Sequence, residues 1–176
     1  MRRALVAAVL AVLPLAGCGP AAASDHPAGA LGPASAITSN DAAPTCRSIG
    51  GHADRRCTPG AINPQVTQAG IASTICRKGW TATVRPPVSY TSKLKQQQMR
   101  AYGDTGPASG FEEDHLIPLE VGGSPTDPAN LWPQPRAGAA SAAAKDAEEN
   151  ALNRAVCNGR MKLADAQRKI VADWVG

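Results

Sequence analysis

The chain has 176 residues, a formal net charge of +4, 43% hydrophobic residues and only 3% aromatic ones. So few aromatic rings argue against reading single-stranded nucleic acid by base stacking, and three scattered histidines exclude a zinc peptidase built on two histidines four apart on a helix. The charge is unevenly divided: from Cys46 to Tyr102 nine basic residues stand against Asp54 alone, and from Gly103 onward seven basic residues face eleven acids. A basic half beside an acidic half suits a protein that holds a polyanion with one part and a cation with the other, although mutual pairing of surface charges accounts for the same numbers.

Met1-Arg2-Arg3, an apolar run from Ala4 to Leu13 and then Leu15-Ala16-Gly17-Cys18 follow one another in signal-peptide order. The apolar run is too short to span a bilayer comfortably. Small residues before a cysteine predict a lipoprotein leader over residues 1–17 with lipidation at Cys18; an ordinary secretory leader is the alternative, and either one exports the domain. The expected location is the outer side of the cytoplasmic membrane, reached through the Cys18 lipid with no transmembrane helix in the mature chain, or free secretion. Residues 18–45, mainly Ala, Pro, Gly, Ser and Asp, cannot bury enough apolar surface to fold and read as a tether. Residues 46–176 make one domain, expected to be monomeric. Cys46, Cys57, Cys76 and Cys157 then predict two disulfides. Of three pairings we favour Cys46 with Cys57, closing a small loop, and Cys76 with Cys157, tying the domain's ends; the cysteine spacing disfavours a zinc site.

Along the domain, Thr67 caps a short helix carrying Ile71 and Ile75, which Gly79 ends. Trp80 to Val88, with Pro86-Pro87, reads as an extended edge segment. Thr91 or Ser92 caps a second helix running through Tyr102. Phe111 to Leu119 reads as a strand, Gly122-Gly123-Ser124-Pro125 as a turn, and Asn130-Leu131-Trp132 as the returning strand before Pro133 and Pro135 break it. Ala139 to Val156 is a helix ended by Asn158-Gly159, and Leu163 to Val175 a last one. The plan is small α+β, with strand, turn, strand and helix at its centre and further helices on both sides. Trp132 is expected to anchor the hairpin.

The string EEDHLIPLEVGG sets an acid and a histidine side by side at the end of a strand. Phosphodiester hydrolysis needs a base, a cation to meet charge on the phosphoryl oxygens, and a group that orients the base. His115 is the expected base, Asp114 a hard-oxygen metal ligand, and Asn130 the amide that fixes the imidazole across the hairpin. Glu112, two positions before Asp114, is a further candidate ligand. Arg136 is placed to contact the scissile phosphate, with Lys93, Lys95 and Arg100 for flanking phosphates.

The segment DHLIPLEVGG…NLWPQP, followed by an Ala-rich helix, resembles the HNH or His-Me finger nucleases, in which two strands and a helix clasp one divalent metal. The run from CTPG at Cys57 through TIC, RPP, SYTSKLK and QM into EEDHLIPLEVGG is similar to exported bacterial proteins with this core, so the resemblance covers most of Cys57 to Trp174. It implies a ββα-metal core over about residues 111–156 and a metal-dependent endonuclease acting on extracellular DNA or RNA with low sequence specificity. Magnesium is the expected ion, with manganese, zinc or nickel as alternatives. A non-catalytic lipoprotein that binds a polyanion or a protein on the same scaffold is the rival. The helix departs from the family, because Ala139 to Ala144 offers only Ser141 where a His or Asn ligand is common. Asp146 and Glu149, three apart on one helical face, are the substitutes expected there.

Overall fold

A computed structural model describes residues 45–175; the leader over 1–17, Cys18 and the tether up to residue 44 lie outside the described residues. Six regular elements follow in order: α1 (Trp80–Val84), α2 (Val88–Tyr102), β1 (Phe111–His115), β2 (Leu131–Pro135), α3 (Ala142–Cys157) and α4 (Leu163–Ala172). The domain is a small α+β unit in which β1 and β2 form an antiparallel hairpin followed by helices. Short 3-10 turns fill the connections, and the first of them, Gln68–Ser73, is capped as expected by the Thr67 side chain accepting from the Gly70 N–H.

The segment expected to be extended is helical. Gly79 adopts the left-handed φ of +79°, which reverses the chain and drops Trp80 into the core, and one and a half turns of α1 follow. Pro86 holds Arg85 extended and ends that helix. Pro87 starts the next, because its fixed φ of −66° suits an N-cap; α2 therefore begins at Val88, ahead of Thr91 and Ser92. Burial of a single tryptophan outweighs the proline pair that suggests an extended segment.

The hairpin differs from expectation in length. β1 ends at His115, and Leu119–Val121 form a 3-10 turn. β2 continues through both prolines. The ladder explains why: Leu116 N–H donates to Asn130 O and Arg136 N–H to Gly110 O, so the facing pairs His115/Leu131, Glu113/Pro133 and Phe111/Pro135 are the ones that exchange no hydrogen bonds. The missing proline N–H groups are not needed at those alternate positions.

Around the hairpin, Leu131, Trp132, Val121, Val156, Ala166 and Ile170 are wholly buried. Trp132 lies 6.1 Å from the rings of both Tyr102 and Trp174, which makes it the anchor of the hairpin. Ser141 caps α3 by accepting from the Ala144 N–H. The last helix stops at Ala172, short of Val175, yet Trp174 remains buried beyond its end.

The disulfides are Cys46–Cys57 and Cys76–Cys157, with sequence separations of 11 and 81. By loop-closure entropy the first contributes ~3 kcal/mol and the second ~4–5 kcal/mol. Both suit a domain that works outside the reducing cytosol. Among the described residues no helix is long and apolar enough to cross a membrane.

Candidate functional site

Alternation along β1 divides the sequence-predicted residues between two faces. Asp114 turns toward α3, whereas Glu113 and His115 turn the other way, into a cleft of about 250 Å³ that is also lined by Arg85, Lys95 and Arg136; Glu112, although in period with Asp114, lines this cleft as well, paired with Arg136 and not standing beside Asp114 against α3.

On the α3 face, Asp114 meets Lys145. The Lys145 side chain is 1% exposed, and its Nζ donates to Asp114 Oδ2 at 2.7 Å, to the His115 carbonyl at 2.7 Å and to Glu149 Oε1 one helical turn along. The Trp174 ring lies 5.9 Å from the same nitrogen. Burial alone lowers the Lys145 pKa, but the Asp114 and Glu149 carboxylates outweigh it and hold the ammonium above the ordinary lysine value. Burial also pushes Glu149 up to about 7, against the pull of Lys145.

This cluster bears on the proposed metal. Asp114 and Glu149 do come together, as the ligand reading requires, but their oxygens converge on an ammonium. A divalent ion would have to displace Lys145 from three hydrogen bonds, so these residues as arranged do not fit a metal. The other two expected ligands stand apart: Asp146 is exposed, and Glu112 pairs with Arg136 at 2.7 Å. Among the described residues no group of three or more His, Cys, Asp or Glu side chains is arranged to hold a metal ion.

On the cleft face, His115 is 5% exposed and its Nε2 lies 3.0 Å from the Pro125 carbonyl. Since a carbonyl only accepts, Nε2 carries the proton in the neutral ring and Nδ1 keeps the lone pair. Burial lowers the His115 pKa below the ordinary histidine value, with the Pro125 hydrogen bond and Asp114 opposing and Arg85 and Lys145 assisting, so the fold favours the neutral imidazole. Glu113 has both carboxylate oxygens buried without a hydrogen-bond partner. Burial pushes it up to about 8, with Lys95 opposing and Asp114 assisting the rise. A neutral base and a neutral acid therefore share the cleft.

The Glu113 pKa is raised on folding, so the unfolded chain ionises first and stability falls as pH rises from about 4.5 to about 8. Glu113→Gln is expected to remove most of that slope and to gain on the order of 2–4 kcal/mol at pH 8. Urea unfolding of both proteins at pH 5 and pH 8 measures it. An unchanged slope would show that Glu113 is ionised in the fold.

Asn130 does not touch the imidazole. Its Oδ1 accepts from the Ile117 N–H at 2.9 Å and the Ala61 N–H at 3.3 Å, and its Nδ2 donates to the Ile117 and Ser124 carbonyls, both at 2.9 Å. It thus pins the two ends of the connection after β1, and the carbonyl next to its last partner, that of Pro125, is the one that holds His115. Gly123 lets this connection close: a Cβ there would stand 1.7 Å from the Ile117 oxygen.

Of the expected phosphate contacts, Arg136 and Lys95 line the cleft, while Lys93 and Arg100 are exposed on α2 and do not. Lys95 also donates to the Ala108 and Phe111 carbonyls and secures the start of β1. Three residues of the two faces have no distinguishing signal in the sequence: Arg85 is carried into the cleft by the proline pair that stops α1, Lys145 has the spacing of a solvated helix residue, and Glu113 is marked only by its period with His115.

Compared with family models, with curated proteins and with solved structures, the chain matches none of them.

Proposed function

We propose that this domain is a nucleic-acid phosphodiesterase that works without the divalent ion of the His-Me finger nucleases its motif resembles, acting outside the cytosol on DNA or RNA with little sequence preference and using His115 as general base. One observation carries the reading: a neutral His115 opens with Arg85, Lys95 and Arg136 onto a single cleft. Three cations lining one cleft suit a phosphate backbone, and the two guanidiniums suit paired contact with phosphoryl oxygens. His115 takes the proton of the attacking hydroxyl, the cations meet the charge that develops on phosphorus-bound oxygen, and the neutral Glu113 supplies a proton to the leaving oxygen. No step passes through a metal ion. A ribose 2′-hydroxyl is already held beside its phosphate, so RNA is the better substrate; its attack breaks the bond to the 5′-oxygen and leaves a cyclic phosphate.

The test incubates the full-length oxidised protein with structured RNA and with plasmid DNA, in chelator and in magnesium or manganese. RNA cutting that survives chelation and falls by about 10²–10⁴-fold in His115→Ala is the expected result. A folded protein that cuts neither substrate under any condition sinks the enzyme reading. The second reading, a polyanion-binding scaffold, is favoured by the closed Asp114–Lys145–Glu149 cluster. In that case His115→Ala retains nucleic-acid binding, while the double change Arg85→Ala/Arg136→Ala weakens it and flattens its salt dependence.

A further inference from the structure

We infer that the Lys145 ammonium is the resident cation of the junction between the hairpin and α3, holding the place among Asp114, Glu149 and the His115 carbonyl that a divalent ion would otherwise take.

The arrangement is that of a cation site. Two oxygens come from β1 and one from α3, they differ in chemistry, and they converge on a single buried point. An ammonium has three N–H donors, and all three are used. Hard divalent ions gather the same kind of oxygens, carboxylate and backbone carbonyl, in the same convergent way. The lysine is not a surface residue that happens to pair: its side chain is 1% exposed, and the two carboxylates are 16% and 13% exposed. Without a cation between them, those carboxylates, while ionised, would be left largely buried and mutually repelling, a cost that the ammonium removes. Ala142, Ala143 and Ala144 precede the lysine on α3 and add no competing ligand. The charge is therefore encoded in the chain and does not depend on the metal content of the surroundings.

This inference concerns the same hairpin as the nucleolytic reading but rests on geometry alone, and a titration separates the two. Manganese uptake by the full-length oxidised protein is followed by the loss of the free-ion paramagnetic resonance signal, in wild type, Asp114→Asn and Lys145→Ala. Wild type is expected to take up no manganese that depends on Asp114; uptake that persists in Asp114→Asn lies elsewhere and agrees with the inference. Lys145→Ala is expected to gain one ion per chain, bound at least ~10-fold more tightly than by wild type, and to melt at a higher temperature when manganese is added. One manganese bound by wild type and lost in Asp114→Asn overturns the inference, and so does a folded Lys145→Ala that gains none. If Lys145→Ala folds only with manganese present, read by circular dichroism, that is the same gain; if it folds under neither condition, the comparison of wild type with Asp114→Asn decides. Failure to cut nucleic acid leaves all of these outcomes readable.

Discussion

Lys145→Met is expected to lower the stability of the domain by about 3–5 kcal/mol, read as a fall in the urea midpoint of the oxidised protein at pH 7. Methionine fills nearly the same space, so the loss is not one of packing. It comes from two carboxylates, Asp114 and Glu149, and the His115 carbonyl left buried without their donor. The triple change Lys145→Met/Asp114→Asn/Glu149→Gln is expected to recover most of the loss, since removing a buried ion group entirely costs far less than breaking it. The single change should also weaken with acid. Glu149, already raised to about 7, protonates readily once the ammonium is gone, so the deficit shrinks as pH falls. A deficit independent of pH, or a triple variant no better than the single one, would place the effect in packing and remove the electrostatic account.

Lys145 also shows where sequence reasoning stops. In an Ala-rich helix a lysine four residues before a glutamate has the spacing of an ordinary solvent-exposed pair, and nothing local distinguishes it from Lys169, which meets Glu148 across the surface between α4 and α3. What buries Lys145 is the approach of β1, set by contacts far away in the chain. The hairpin itself was legible because Asp114-His115, the Gly-Gly turn and Asn130 are local signals, and the cysteine pairing followed from loop lengths in an exported chain. The prolines of β2 read as breakers in the sequence because their tolerance depends on ladder parity, which a single strand does not display. Trp80 reads as part of an extended segment because Pro86-Pro87 dominates the local pattern, whereas its burial is a tertiary fact. The cleft follows the same division: His115 and Arg136 were found from the motif, and Arg85 joined them only because α1 ends where it does.

Asn130→Ala is expected to cost about 3–5 kcal/mol and to disable the cleft at the same time. The side chain is wholly buried and makes four hydrogen bonds, all to backbone, so alanine leaves the Ile117 N–H and carbonyl and the Ser124 carbonyl without a partner in the interior. Asn130→Asp separates the two roles of the amide. A carboxylate can still accept from the Ile117 and Ala61 N–H groups, but it repels the two carbonyls to which the asparagine donates. The aspartate variant should therefore be no more stable than alanine at pH 7 and should recover as pH falls and its carboxyl regains a proton to donate. The connection from Ile117 to Pro125 loosens in both variants, and amide exchange at Ile117, read by NMR, should rise together with loss of the His115–Pro125 contact. Lys145 also donates to the His115 carbonyl, so the Lys145→Met and Asn130→Ala losses share a partner and are expected to couple and not simply to add. If exchange at Ile117 stays protected while activity or polyanion binding is lost, Asn130 acts on the bound molecule itself and not through the connection that seats His115.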